Sequence, residues 1–290
     1  MRSLSVHTGL AGLIASLLAS LVVLPVSTAA GAASSGFNNW GCQPSAAHPD
    51  PVVMLHGLGA NGDANYAGYL GPYLADRGYC VFAPTYGQVS PELTVGGLVA
   101  IAESASEIET YVDEVLGATG ASRVDLVGHS EGGFHALYGP KVLGYADQVD
   151  TVVAMAPPTH GTNLSGLLMV GNLLGLSGPL RQAVREFGCA ACDDLLVDGA
   201  AVDTLNAGPI AQAGVDYTVI ATRWEVAVTP YASAFVTEPG VDNVLVQDVC
   251  PLDPVGHVGL AFDSGVAQMV SNALDPDAAQ PVRCGAGPPF

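Results

Sequence analysis

Basic residues are scarce in this sequence. Lys and Arg together number 8 against 27 Asp and Glu in 290 residues, a formal net charge of -19. A surface so acidic repels phosphate backbones, which argues against nucleic acid as a partner, and it disfavours electrostatic docking on anionic lipid headgroups. Contact with a neutral fat or polymer surface would have to come from apolar burial. Beyond residue 33 no segment has the length and apolarity of a membrane-spanning helix. Metal chemistry has little foothold. No loop carries the ligand spacing of a calcium site, and Cys189-Ala-Ala-Cys192 has no second ligand pair at zinc spacing. Internal repeats and long linkers are also missing, so residues 34–290 read as one catalytic domain.

Hydrophobic residues make up 49% of the chain, enough to fill the core of an α/β domain. The first 33 residues read as an export signal. Arg2 gives a short positive start, Leu10 to Leu24 is apolar and uncharged, and a small-residue run from Ser27 to Ala33 suits A-x-A cleavage. All six cysteines (Cys42, Cys80, Cys189, Cys192, Cys250 and Cys284) lie beyond it, as disulfides of an exported chain would. Sequence alone does not choose among their pairings. The pairing adopted as an expectation is Cys42–Cys80, Cys189–Cys192 and Cys250–Cys284.

The region after the signal alternates short β-rich runs with helical ones, which predicts a mostly parallel sheet flanked by helices. Strands are expected at 51–55, 79–83, 123–127, 149–155, 216–222 and 243–247. Helices are expected at 65–77, 95–117 and near 131–143. Residues 157–214 break the alternation and read as an insertion over one end of the sheet. Within it, 163–180 carries no charge and is rich in Leu and Gly. That stretch is either a mobile flap at the mouth of a site or a helix packed on the sheet. The Pro- and Gly-rich tail from Asp275 is expected to wrap the surface.

Gly128-His129-Ser130-Glu131-Gly132 matches G-x-S-x-G and lies between a β-rich run and a helical run, the context the motif requires. A serine in such a bend is exposed at the carboxyl edge of the sheet, and the following helix points its positive end at it. Its hydroxyl needs a histidine to take the proton. Chain order in folds of this kind is Ser, acid, His, and His257, in the loop after the last predicted strand, fits it. Glu225, just beyond the strand ending near Thr222, leads as the acid over Glu238, Asp242, Asp248 and Asp253. The expected oxyanion donors are the backbone N–H groups of Leu58, in the loop after the first strand, and Glu131. His56 is read as bracing that loop and His129 as packing under the bend.

These motifs resemble those of small secreted bacterial lipases of the α/β-hydrolase superfamily, often grouped as class 2 lipases. The residues carrying the resemblance are Pro51–Gly57, Tyr79–Pro84, Gly128–Gly133, Pro158–Thr162, Val228–Tyr231 and Cys250–Asp253 with His257. The resemblance covers most of residues 38–275. It implies an α/β-hydrolase fold with a lid-like insertion, hydrolysis of acylglycerols or similar esters without a cofactor, and a working triad of Ser130, His257 and an acid. A monomer acting on an ester substrate, at a lipid–water interface in the lipase case, is expected. Short-chain esters, polyesters, and acyl transfer to an alcohol through the same acyl-enzyme are the alternatives. Two positions depart from the pattern: similar lipases typically carry Asp in place of Glu225, and an uncharged Gln or Met in place of Glu131.

Overall fold

The computed structural model describes residues 36–163, 177–186 and 188–290. The expected signal segment, and residues 164–176 of the charge-free stretch 163–180, lie outside the described residues.

Six strands form one sheet: β1 (Val52–Leu55), β2 (Val81–Phe82), β3 (Val124–His129), β4 (Val149–Met155), β5 (Asp216–Ala221) and β6 (Val241–Leu245). Their order is β2-β1-β3-β4-β5-β6, and every pairing is parallel. Parallel strands covered on both faces must be apolar nearly throughout, and Val52-Val53-Met54-Leu55 is buried at every position. The pleat then divides the side chains. Val53, Leu55, Leu126, Val152, Ala154 and Val219 enter one core layer. Val52, Met54, Val127, Val153, Met155 and Ile220 enter the other.

Helices α1 (Gly62–Tyr66), α2 (Leu70–Ala75), α3 (Ile101–Thr119) and α4 (Glu131–Tyr138) supply most of the covering surface before β4. Helix α3 buries Ile101, Ala105, Ile108, Val112 and Val115, the three- and four-residue spacing that the sequence displays. With α4 it fills the first layer, while α1, α2 and the last helix, named below, fill the second. After β4 come α5 (Ser177–Glu186), α6 (Ala190–Asp194) and α7 (Ala200–Leu205), the described part of the insertion. Then α8 (Val246–Val249) follows β6 directly, and α9 (Ser264–Leu274) closes the second layer.

Element boundaries differ from expectation where proline and glycine intervene. The helix expected at 65–77 is two helices. Pro72 has no N–H to donate to the turn before it, so the chain starts α2 afresh and seats Pro72 in its first turn. The helix expected at 131–143 is regular only to Tyr138, and a wider turn over Gly139–Leu143 follows, because Pro140 cannot continue the ladder. The helix expected from 95 begins at Ile101, and Gly96 and Gly97 serve the site instead. Residues 246–249 turn helical, so the last strand sits two residues earlier than expected.

All three disulfides pair as expected, Cys42 with Cys80, Cys189 with Cys192 and Cys250 with Cys284. The last of these ties the C-terminal tail to the body across 34 residues. The tail then runs beside a loop of the site, where Gly256 N–H donates to Pro288 O and Gly259 N–H to Phe290 O. Replacing Cys250 and Cys284 together by Ser should lower stability by about 2–4 kcal/mol, chiefly through the freed unfolded chain. Urea unfolding under oxidising conditions measures it. A loss below about 0.5 kcal/mol would show that the tail docks without the bridge.

Candidate active site

The site lies at the carboxyl ends of β1, β3 and β5. In an open parallel sheet this edge gathers the loops, and the crevice opens where strand order reverses, here between β1 and β3. Strand β3 runs straight into Ser130, which has φ 56° and ψ -120° before α4 begins. A non-glycine residue in that region is strained, and close packing must hold it there. Gly128 and Gly132 make that packing feasible. A Cβ on Gly132 would lie 1.9 Å from the Leu55 carbonyl oxygen, and one on Gly128 would lie 2.2 Å from the Gly132 oxygen. The Ser130 N–H donates to Met155 O at 2.8 Å, which pins the bend to the end of β4.

The structure brings Ser130, His257 and Glu225 into one hydrogen-bonded chain. His257 Nε2 is 2.9 Å from Ser130 Oγ, and His257 Nδ1 is 2.7 Å from Glu225 Oε2. With the Nδ1–H donated to Glu225, the Nε2 lone pair faces the serine hydroxyl. Glu225 Oε1 accepts the N–H groups of Ala227 at 2.7 Å and Val228 at 3.0 Å. Burial pushes the Glu225 carboxyl up. The bond to His257 and the two backbone N–H groups together outweigh burial and hold it below its ordinary value of 4.5. Three of the four rival acids are engaged elsewhere. Glu238 accepts from the Ile210 and Ala211 N–H groups, Asp248 pairs with Arg223, and Asp253 caps the Val255 N–H.

The loops carrying His257 and Glu225 are tied together. Thr222 donates its hydroxyl to Val255 O at 2.5 Å. Gln247 donates to both Thr222 Oγ1 and Asp253 O, and accepts the Arg223 N–H. Gln247 and Thr222 carry no motif, so sequence reading had no signal for them. His129 does more than pack under the bend: its Nε2–H donates to the His257 carbonyl at 2.9 Å, joining the elbow to the loop of the base. His160 is apart from the site and donates to Phe235 O.

The loop after β1 is equally fixed. Gly57 N–H donates to Asn65 Oδ1 at 3.1 Å, Gly59 N–H to Gly96 O at 3.0 Å, and Gly96 N–H to Ala60 O at 2.7 Å. His56 is fully buried and stacks on Tyr86. It accepts the Tyr86 N–H at Nε2 and donates from Nδ1 to Gly57 O. Among the described residues the N–H groups of Leu58 and Glu131 have no protein acceptor. Such N–H groups are able to donate to a ligand oxygen. Burial pushes His56 down to about 4 and, with the charge of His257, His129 down to about 3, so both stay neutral at ordinary pH. The Glu131 side chain turns inward and is fully buried beside His135. Asn65, Gly96, Tyr86 and His135 were not singled out from sequence.

A family model described as the alpha/beta hydrolase fold matches residues 50–169. A triacylglycerol lipase of Burkholderia plantarii is 28% identical over 67% of this chain and 54% of its own length. A triacylglycerol lipase of Pseudarthrobacter phenanthrenivorans is 30% identical over 56% of this chain and 51% of its own. The chain spans about half the length of the curated relatives it matches. Among solved structures, lipase B of Aspergillus fumigatus superposes with a TM-score of 0.62 over 85% of this chain and 57% of that one, at 18% identity, a likeness of fold.

The depressed Glu225 carboxyl links the site to stability. The folded chain holds that proton less tightly than the unfolded chain does. The carboxylate's contribution is therefore complete above pH 4.5 and fades as pH falls through the lower folded value. The stability gap between wild type and Glu225→Gln, from urea unfolding at neutral pH and at about pH 3.5, should narrow at the acid end. An equal gap at both would refute the linkage.

Proposed function

From the α/β-hydrolase fold of the chain as premise, we propose that this protein is a secreted carboxylic ester hydrolase acting on acylglycerols, with Ser130 as nucleophile, His257 as base and Glu225 as acid. The observation that carries the reading is the continuous hydrogen-bonded chain from Ser130 Oγ through His257 to Glu225. The names of the two curated relatives, triacylglycerol lipases, point to the same substrate class.

In this reading Ser130 Oγ attacks the ester carbonyl carbon as its proton passes to His257 Nε2, and Glu225 stabilises the imidazolium that forms. The carbonyl oxygen becomes negative between the N–H groups of Leu58 and Glu131, at the positive end of α4. Collapse breaks the ester C–O bond, and the alcohol leaves with the proton from His257. A water molecule, deprotonated by the same imidazole, then frees the acid and restores Ser130.

Exposed side chains at or next to the proposed site residues in the chain suit an apolar acyl group. Leu58, Trp224, Val226 and Val258 are exposed, and the last three adjoin Glu225 or His257 in sequence. An apolar rim on a chain of net charge -19 favours neutral esters over anionic surfaces. Three disulfides fit an oxidising compartment, as the signal-like residues 1–33 of the sequence do. The single catalytic domain 34–290 would follow that signal.

An organophosphonate should label Ser130 covalently, and Ser130→Ala should lower ester turnover by at least ~10³-fold. Hydrolysis of emulsified triglyceride beside a soluble short-chain ester then tests the substrate class. Activity confined to the soluble ester would make the protein an esterase, and an unlabelled serine would end the hydrolase reading.

A further inference from the structure

Glu131 occupies the position after the nucleophile, and its side chain points away from the substrate. Its carboxyl and the imidazole of His135, one helical turn on, are both fully buried and meet at 3.3 Å, Oε1 to Nε2. Among the described residues, Glu131 Oε2 and His135 Nδ1 have no hydrogen-bond partner. On its far side the carboxyl rests against Gly97, where a Cβ would lie 2.5 Å from Oε2.

That contact connects the carboxyl to the loop after β1. Gly97 N–H donates to Tyr86 O at 2.8 Å, and the adjoining Gly96 clasps the loop from both sides through Ala60 O and the Gly59 N–H. Leu58 immediately precedes the clasped residues Gly59 and Ala60, in the turn that the Ala60 N–H closes on Gly57 O at 3.1 Å. One side chain therefore backs both proposed oxyanion donors, the Glu131 N–H directly and the Leu58 N–H through Gly96 and Gly97. We propose that Glu131 is a positioning residue of the oxyanion hole, acting as an un-ionised carboxylic acid hydrogen-bonded to a neutral His135. The proposal rests on the ester-hydrolase reading above.

Geometry favours the neutral pair. As an ion pair, the two groups would leave an anionic oxygen at Oε2 and the N–H of a cationic ring at Nδ1 unmatched and cut off from water, whereas the neutral pair leaves the same two atoms uncharged, which burial penalises far less. Burial pushes the Glu131 carboxyl well above the ordinary carboxylate range, and the charge of Asp194 adds to it. Burial, then His56, pushes His135 down to about 3. Function demands the same. A carboxylate on the residue whose N–H receives the oxyanion would oppose the charge that develops in the transition state. Ionising Glu131 at alkaline pH should therefore lower kcat.

The titratable groups facing the pair are Tyr86 in the loop after β2, whose ring is edge-on to His135, His56 at the end of β1, and Asp194 on α6. Burial holds His56 down to about 4 and Tyr86 well above its ordinary value, so neither changes charge in the mildly alkaline range. Asp194 caps the Ile101 N–H at the start of α3.

The test uses the full chain, with phosphonate labelling of Ser130 as a separate check on the hydrolase reading. Infrared difference spectra of wild type against Glu131→Gln at neutral pH should show the C=O stretch of an un-ionised acid in wild type only. On a soluble p-nitrophenyl ester, Glu131→Ala should lose about 10-fold or more in kcat, with KM changed less than about two-fold. Glu131→Gln, which keeps a neutral group able to bond His135, should recover most of that loss and lack the alkaline decline of wild type. The infrared band and the Gln pH profile decide the matter even if the Ala variant fails to fold. A labelled enzyme without the acid band, a Gln variant with the wild-type alkaline limb, or one as poor as Ala would overturn the proposal. An enzyme that shows the band but does not label would leave the carboxyl neutral and sink the hydrolase reading instead.

Discussion

A single strained residue sets the terms for the rest of the molecule. Ser130 holds φ 56° between the last residue of β3 and the first of α4. A backbone in that region costs of order 1–3 kcal/mol and persists only where its surroundings over-determine it. Here the sheet does so. The Ser130 N–H is bound to the end of β4, and Gly132 lies against the Leu55 carbonyl of β1 at a distance that admits no side chain. Three neighbouring strands thus fix one hydroxyl, and the apolar runs that make those strands are the ultimate cause of its position. The apolar run of β1 and the apolar end of β4 from Val152 to Met155 are as much a part of the site as Ser130 is.

From that fixed point the other groups are placed by loops, and each loop is bound to another rather than left to its own preferences. His129 reaches the His257 carbonyl, Gln247 and Thr222 join the loop of the acid to that of the base, and Gly96 clasps the loop of Leu58. Backbone groups in such loops have no ladder to satisfy them, so side-chain amides and hydroxyls take over the task. The cost is a set of buried polar residues around the nucleophile. The benefit is a fixed arrangement of donors and acceptors, which the proposed reaction would use with little reorganisation.

How much of this was legible in the sequence follows from the range of the forces involved. Strands could be read because burial on both faces demands unbroken apolar runs, and β4 was located at both ends. That Ser130, His257 and Glu225 come together could be read because strand-to-helix context and chain order are one-dimensional signals. Glu225 over Asp253 could be argued only weakly, since several acids follow β5; the distance of 2.7 Å to His257 distinguishes it in space. Pro72 and Pro140 carried their message in the sequence, and the smooth helical periodicity around them masked it. Gln247, Asn65 and the two tail carbonyls that bind Gly256 and Gly259 had no local pattern at all. Their roles arise from contacts between segments far apart in the chain.

Glu131 shows why the departure from a pattern can be more informative than the match. Read along the chain, an acid beside the nucleophile in a protein of net charge -19 looks like one more solvated carboxylate. The first residue of a helix can present its side chain outward or back into the core, and sequence does not distinguish the two. Once the side chain is inside, the physics reverses. Water no longer stabilises the anion, no cation is supplied by a partner, and the remaining partner is an imidazole that burial also keeps neutral. The half-buried Asp194 deepens the effect, because it adds repulsion instead of relief. Burial and one neighbouring carboxylate, and not the net charge of the chain, are what disfavour ionisation of Glu131.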